Sequence, residues 1–331
     1  MKFRTPALAA ATVVTAALLL SGCAAGAPAE STTPTAVAGV DTSFPITVEN
    51  CDTTVTVKSA PERILTIKST TTELLLALGL GDRIVGSAFL DGPLPASLEA
   101  AGADLDVISD FVPGQEAVLG LAPDFVYGGW ESNFSAEGVG ERAGLAELGI
   151  GTYVSPAACK GDAMPDPLTF DTVFAEITEA GALFGVPDAA ATLVADQQAE
   201  LAALRPATGD STALWYSSGT ETPYVGAGIG APQMILEAAG LTNIFAGVQD
   251  SWTSAGWETV VAENPDVIVL VDATWNTAES KIATLKANAA TAGLDAVRND
   301  RFVVLPFAAT EGGIRNVEAT GSVVDQLKTL D

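Results

Sequence analysis

The chain of 331 residues has no histidine, only three cysteines, and 15 lysines and arginines set against 41 aspartates and glutamates. Each shortage excludes a class of function. Without imidazole there is no Ser-His-Asp or Cys-His catalytic group, no His-ligated haem or zinc, and no histidine general base. A formal charge of −26 argues against nucleic acid as a partner and says little about fold. The cysteines lack zinc-motif spacing, so no metal and no cofactor are expected. Aromatic residues make up 6% of the chain, so the placement of its five tryptophans carries weight. Hydrophobic content of 48% still allows a large core, and the length suggests two lobes.

The chain opens with Lys2 and Arg4, an apolar run over 7–20, and then Ser21, Gly22 and Cys23. This is the pattern of a secretory signal, too short in its apolar part to favour a membrane span. Leu20-Ser-Gly-Cys23 resembles the bacterial lipobox, which implies diacylation of Cys23, loss of residues 1–22 and a mature protein held at the outer face of the cytoplasmic membrane. An ordinary cleaved signal is the alternative. Without Lys2 and Arg4 the formal charge of −26 becomes −28. Cys51 and Cys159 then remain in an oxidising compartment, either disulfide-bonded or free, since spacing alone does not bring their Cβ atoms together.

Residues 23–43 are Ala, Thr, Pro, Ser and Gly with almost no large apolar side chain, and read as a flexible tether. Alternating Ile46, Val48, Val55 and Val57 read as a hairpin. A short strand near 63–67 precedes a helix over 69–78, and strand-like runs follow at 84–86, 125–127 and 150–154, separated by helical stretches. Such alternation predicts parallel βαβ units. Between about 169 and 204 apolar residues recur at helical spacing, interrupted by Pro187, and strands resume at 213–216, 267–271 and 302–305. The expected organisation is an α/β lobe over 44–167, a helical connector over 168–205 and a second α/β lobe over 206–331.

Pro61-Glu-Arg-Ile-Leu, Thr72-Glu-Leu-Leu-Leu-Ala-Leu-Gly-Leu-Gly-Asp-Arg-Ile-Val-Gly86, Leu121-Ala-Pro-Asp124 and Leu236-Glu-Ala-Ala-Gly-Leu-Thr-Asn-Ile244, together with that organisation, resemble the class III substrate-binding proteins of ABC importers for ferric siderophores, haem and cobalamin. The resemblance implies two Rossmann-like α/β lobes joined by one long rigid helix. It also implies a permease with its ATPase subunits as partner, and a monomer carrying a small organic ligand between its lobes. Glu73 and Glu237 match the family's surface glutamates that dock onto permease arginines. Tyr153-Val-Ser-Pro-Ala-Ala-Cys-Lys160, Met164-Pro-Asp-Pro-Leu-Thr-Phe170 and Pro223-Tyr-Val-Gly-Ala-Gly-Ile-Gly-Ala-Pro-Gln233 resemble an actinobacterial subgroup thought to bind a deazaflavin coenzyme precursor.

Ligands of open α/β sheets collect beyond the carboxyl ends of the strands. Tyr127, Trp130, Trp215, Tyr216, Tyr224, Trp252, Trp257 and Trp275 are placed at or near such ends and suit a flat conjugated ligand, although each is equally explained by packing in its own lobe. For an anionic group the candidates are Lys68, Ser69 and Thr70 at a helix start, Lys160, and Arg315. Gly226, Gly228 and Gly230 depart from the dinucleotide fingerprint and read as a cleft loop. The expected function is capture and delivery without chemistry. A ferric siderophore or corrinoid is the alternative ligand. A carboxylate-dependent hydrolase is the competing class, with Glu131 and Glu141 or Asp91 and Asp110 as its acid pairs.

Overall fold

The computed structural model describes residues 43–164 and 166–330; the signal, the tether and Cys23 lie outside them. The described chain opens with an antiparallel hairpin of β1 (Ile46–Asn50) and β2 (Thr53–Val57). The first lobe follows as β3 (Ile64–Ile67), α1 (Ser69–Ala77), β4 (Ile84–Ala88), β5 (Val107–Ser109), α2 (Gln115–Gly120), β6 (Phe125–Gly128), α3 (Arg142–Glu147) and β7 (Gly151–Val154). Its strands form one parallel sheet in the order β5-β4-β3-β6-β7. Every residue of β3 and β6 is buried, as expected of central strands covered on both faces. The strand order reverses between β3 and β6, and the crevice beyond their carboxyl ends is where such a sheet receives a ligand.

The free edge of β7 is closed by side chains. Asn50 donates to the Val154 carbonyl and accepts from its N–H, both at 2.8 Å, and Arg142 donates to the Thr152 hydroxyl at 3.1 Å. A disulfide joins Cys51, in the hairpin turn, to Cys159, just past β7, across 108 residues of sequence. The hairpin is thereby fixed to a loop that reaches the crevice.

The connector is two helices. In α4 (Phe170–Leu183) the buried Val173, Phe174 and Ile177 join the main core, and Glu176 reaches the first lobe, accepting from the Ser155 hydroxyl at 2.6 Å. The helix stops at Gly185, whose φ of 74° suits glycine, before Pro187 opens α5 (Pro187–Ala203). Gly181 allows close contact between the two, since a Cβ there would lie 2.2 Å from that of Ala190. At about 1.5 Å per residue, the 17 residues of α5 form the long member that reaches the second lobe, where Gln197 donates to the Ile314 carbonyl at 2.6 Å.

The second lobe comprises β8 (Thr212–Ser218), β9 (Tyr224–Gly226), α6 (Ala231–Ala238), β10 (Thr242–Asn243), β11 (Trp252–Ser254), α7 (Trp257–Glu263), β12 (Val267–Asp272), α8 (Ala278–Ala287), α9 (Asp295–Arg298), β13 (Phe302–Pro306) and α10 (Asn316–Leu330). Its sheet runs β11-β9-β8-β12-β13, with β10 beside β8. The pairs β8–β12 and β12–β13 are parallel, while β9 and β11 add an antiparallel flap. None of the described helices is long and apolar enough to cross a membrane.

Candidate ligand cleft

The carboxyl ends of both sheets open on one cleft of about 390 Å³. From the first lobe come Trp130 and Glu131, just past β6, and Ala157, Ala158 and Lys160, past β7. From the second come Ser217 and Ser218 at the end of β8, Tyr224 and Trp252 on the flap, Trp275 past β12, and Phe307, Thr310 and Glu311 past β13. Tyr224 and Trp252 stack at 5.9 Å with an interplanar angle of 14°. Burial, then the nearby Asp250 and Glu311 carboxylates, raises the Tyr224 phenol above its usual pKa, so it stays neutral. Trp275 is 62% exposed at the rim and meets Phe307 edge-on at 6.1 Å. The loop that carries it is held by Lys281, whose ammonium donates to the Val271 carbonyl at 2.6 Å and to that of Asn276.

Five of the expected ligand residues line this cleft: Trp130, Lys160, Tyr224, Trp252 and Trp275. The remainder are placed elsewhere. Lys68 is fully buried and paired with Asp91, and its ammonium lies 3.7 Å from the Trp130 ring centre, 4.6 Å from Phe89 and 4.8 Å from Phe307. Burial lowers its pKa to about 8, while Glu311 draws it back up. Lys68 therefore supports the cleft floor from beneath. The anion expected at the start of α1 is supplied by the protein itself: the Asp91 carboxylate accepts from the Ser69 N–H at 3.3 Å, and the Ser69 hydroxyl accepts from the Asp91 N–H at 2.8 Å. Ser69 and Thr70 are buried, and that helix start is occupied. The same ion pair removes Asp91 from any acid pair.

Tyr127 and Trp215 are core residues, 1% and 0% exposed, because β6 and β8 are covered on both faces. Tyr216 packs edge-on against Trp257 at 5.3 Å, and the Trp257 indole donates to the Thr220 carbonyl at 2.8 Å. That pair sits behind the cleft wall and braces it. Arg315 is also committed, 3.5 Å from Glu73 and 3.8 Å from Glu318. Among the described residues Lys160 is thus the one cation lining the cleft, opposite Glu131 and Glu311. Glu131 accepts from the Lys160 backbone N–H at 2.7 Å, and burial raises the Glu311 pKa.

The two expected docking glutamates differ. Glu237 is exposed in α6, as a docking carboxylate requires. Glu73 is 1% exposed, so the expectation of a surface carboxylate is corrected there: Arg315 from the other lobe covers it. The glycine loop spends its Ala227, Gly228 and Ile229 N–H groups on the carbonyls of Ser251, Val248 and Asp250, so these three are not offered to a phosphate. A Cβ at Gly228 would lie 2.1 Å from the Ala246 carbonyl oxygen, so the glycines serve this packing. Phe307, Glu311, Ser217 and Ala157 escaped the sequence reading. Their position at or just after the ends of β13, β8 and β7 was the available signal, but Ser217, Ala157 and Glu311 are small or acidic side chains that do not announce a ligand.

Residues 64–309 match the Periplasmic binding protein family. A cobalamin-binding protein of Halobacterium salinarum is 29% identical over 243 residues, covering 69% of this chain and 58% of that protein, so the match spans less than two thirds of the relative's length. A substrate-binding lipoprotein of an ABC transporter in Bacillus subtilis is 24% identical over 96% of this chain and 95% of its own. Among solved structures, an ABC-type Fe3+-hydroxamate transport protein from Saccharomonospora viridis superposes with a TM-score of 0.72 at 28% identity, covering 86% of this chain and 99% of that one. The chain belongs to the periplasmic binding protein family and has the class III fold of its structural neighbours.

Proposed function

We propose that this protein is an extracytoplasmic, lipid-anchored monomer that captures a flat organic ligand between its lobes and delivers it unchanged to an ABC permease. The observation that carries this reading is the convergence of Trp130, Tyr224, Trp252 and Trp275 on one cleft between two sheets. Indole and phenol rings hold a conjugated body by stacking, at small entropic cost. The volume of about 390 Å³ lies near the lower end of the roughly 300–1,000 Å³ typical of drug-sized ligands. It suits a tricyclic ring system better than a complete corrinoid.

A deazaflavin precursor fits that description, with its anionic group directed to Lys160. Of the expected anion partners Lys68, Ser69, Thr70, Lys160 and Arg315, only Lys160 lines the cleft. The corrinoid reading is retained because one relative is a cobalamin-binding protein. Native mass spectrometry of the purified protein should find a co-purified ligand. Titration with a deazaflavin precursor should quench tryptophan emission. No quenching by the deazaflavin, with tight binding of a corrinoid or ferric siderophore, rejects the ligand and leaves the importer role in place.

A further inference from the structure

The lobes meet along one segment that follows β13. Phe307 lies over the Lys68 ammonium, and the Glu311 carboxylate accepts from the Trp130 indole. A Cβ on Gly312 would lie 2.6 Å from that of Ala157, and one on Gly313 would lie 3.4 Å from Thr70. The last contact of this seam is the one that fits worst. Glu73, in α1, is 1% exposed, yet neither carboxylate oxygen receives a well-formed hydrogen bond from the protein. Arg315 stands 3.5 Å away, and its Nε also lacks a hydrogen-bond partner. Glu318 lies on the other side of that guanidinium, at 3.8 Å. A carboxylate removed from water and given one loose ion pair loses more in hydration than it regains.

We propose that Glu73 is a release element and not a lock: its ionised carboxylate, stranded between the lobes, favours their separation. Burial raises the Glu73 pKa to about 7, and the charged groups facing it are Arg315, which lowers it, and Glu318, which raises it. The closed form therefore binds more protons than an open form with a hydrated carboxyl, so acid favours closure and alkali favours opening.

The test is backbone hydrogen exchange over 69–73 and 310–316 in the isolated full-length protein. At pH 8 Glu73→Gln should slow exchange by on the order of tenfold, and Arg315→Gln, which leaves the carboxylate uncompensated, should speed it. At pH 5 the Glu73→Gln difference should collapse, because Glu73 is already protonated. A lock would instead make both variants faster. Faster or unchanged exchange in Glu73→Gln at pH 8 overturns the proposal.

Discussion

Both lobes repeat one strand–helix alternation, but they place matching glutamates in opposite environments: Glu237 projects from α6 into solvent, and Glu73 is enclosed beneath an arginine of the other lobe. The asymmetry extends further. The first lobe is a wholly parallel sheet stapled by Cys51–Cys159, and it contributes the buried Lys68 floor and a single cleft tryptophan. The second adds an antiparallel flap and supplies Tyr224, Trp252, Trp275 and Phe307. A charged floor and an aromatic wall are thus built from one repeated plan. Homologous position does not ensure a homologous environment, because the packing partner across the seam differs.

The largest expected effect removes the staple. The double variant Cys51→Ser, Cys159→Ser should lose about 2–5 kcal/mol of stability, and the loss should appear first in the first lobe. Exchange mapped during mild denaturation checks this; simultaneous melting of both lobes would mean that they form one cooperative unit. Next is the aromatic wall. Trp252→Ala should weaken ligand binding by on the order of 1–3 kcal/mol, with stability little changed, because Trp252 is only partly buried. Gly312→Ala tests the seam: its new Cβ meets Ala157, so the lobes should close less fully and less co-purified ligand should be recovered.

A smaller effect concerns Glu176 in α4, a buried carboxyl that accepts from Ser155 at 2.6 Å and whose pKa burial raises to about 7. Its folded-state pKa exceeds the unfolded value, so the folded state binds more protons between the two. Its contribution to stability is therefore greatest in acid and declines as pH rises toward about 7. Melting temperatures measured from pH 5 to pH 8 should show a shallower slope in Glu176→Gln. The smallest effect is Glu237→Gln, which should leave folding and ligand affinity of the isolated protein unchanged and reduce uptake alone.

The strands at 64–67, 125–128, 267–272 and 302–306 were legible because short apolar runs bounded by turn residues admit few other readings. The flap was not: Tyr224–Gly226 and Trp252–Ser254 have three residues each and depend on each other for definition. Trp130 and Trp275 were legible as cleft residues, since they stand beyond strand ends. Trp215 and Tyr127 were not distinguishable from them by position, because only the layers packed on both faces of β8 and β6 decide that those rings are enclosed. Lys68 illustrates the same limit. Its φ of 83°, directly after β3, turns the side chain toward Asp91, and neither the angle nor the partner is written in the local sequence.

Asn50 is the neighbour of Cys51, so the turn that carries the staple also carries the amide that closes the edge of β7. Reduction would remove one of the two tethers of that turn, the other being Arg142, which donates to the Asn50 carbonyl at 2.7 Å and to its side-chain oxygen at 2.9 Å. A reduced chain should then open that strand edge more often, the surface along which extended chains associate. The sulfur–sulfur bond is therefore also a colloidal safeguard: its reduction should favour strand-to-strand precipitation of neighbouring copies.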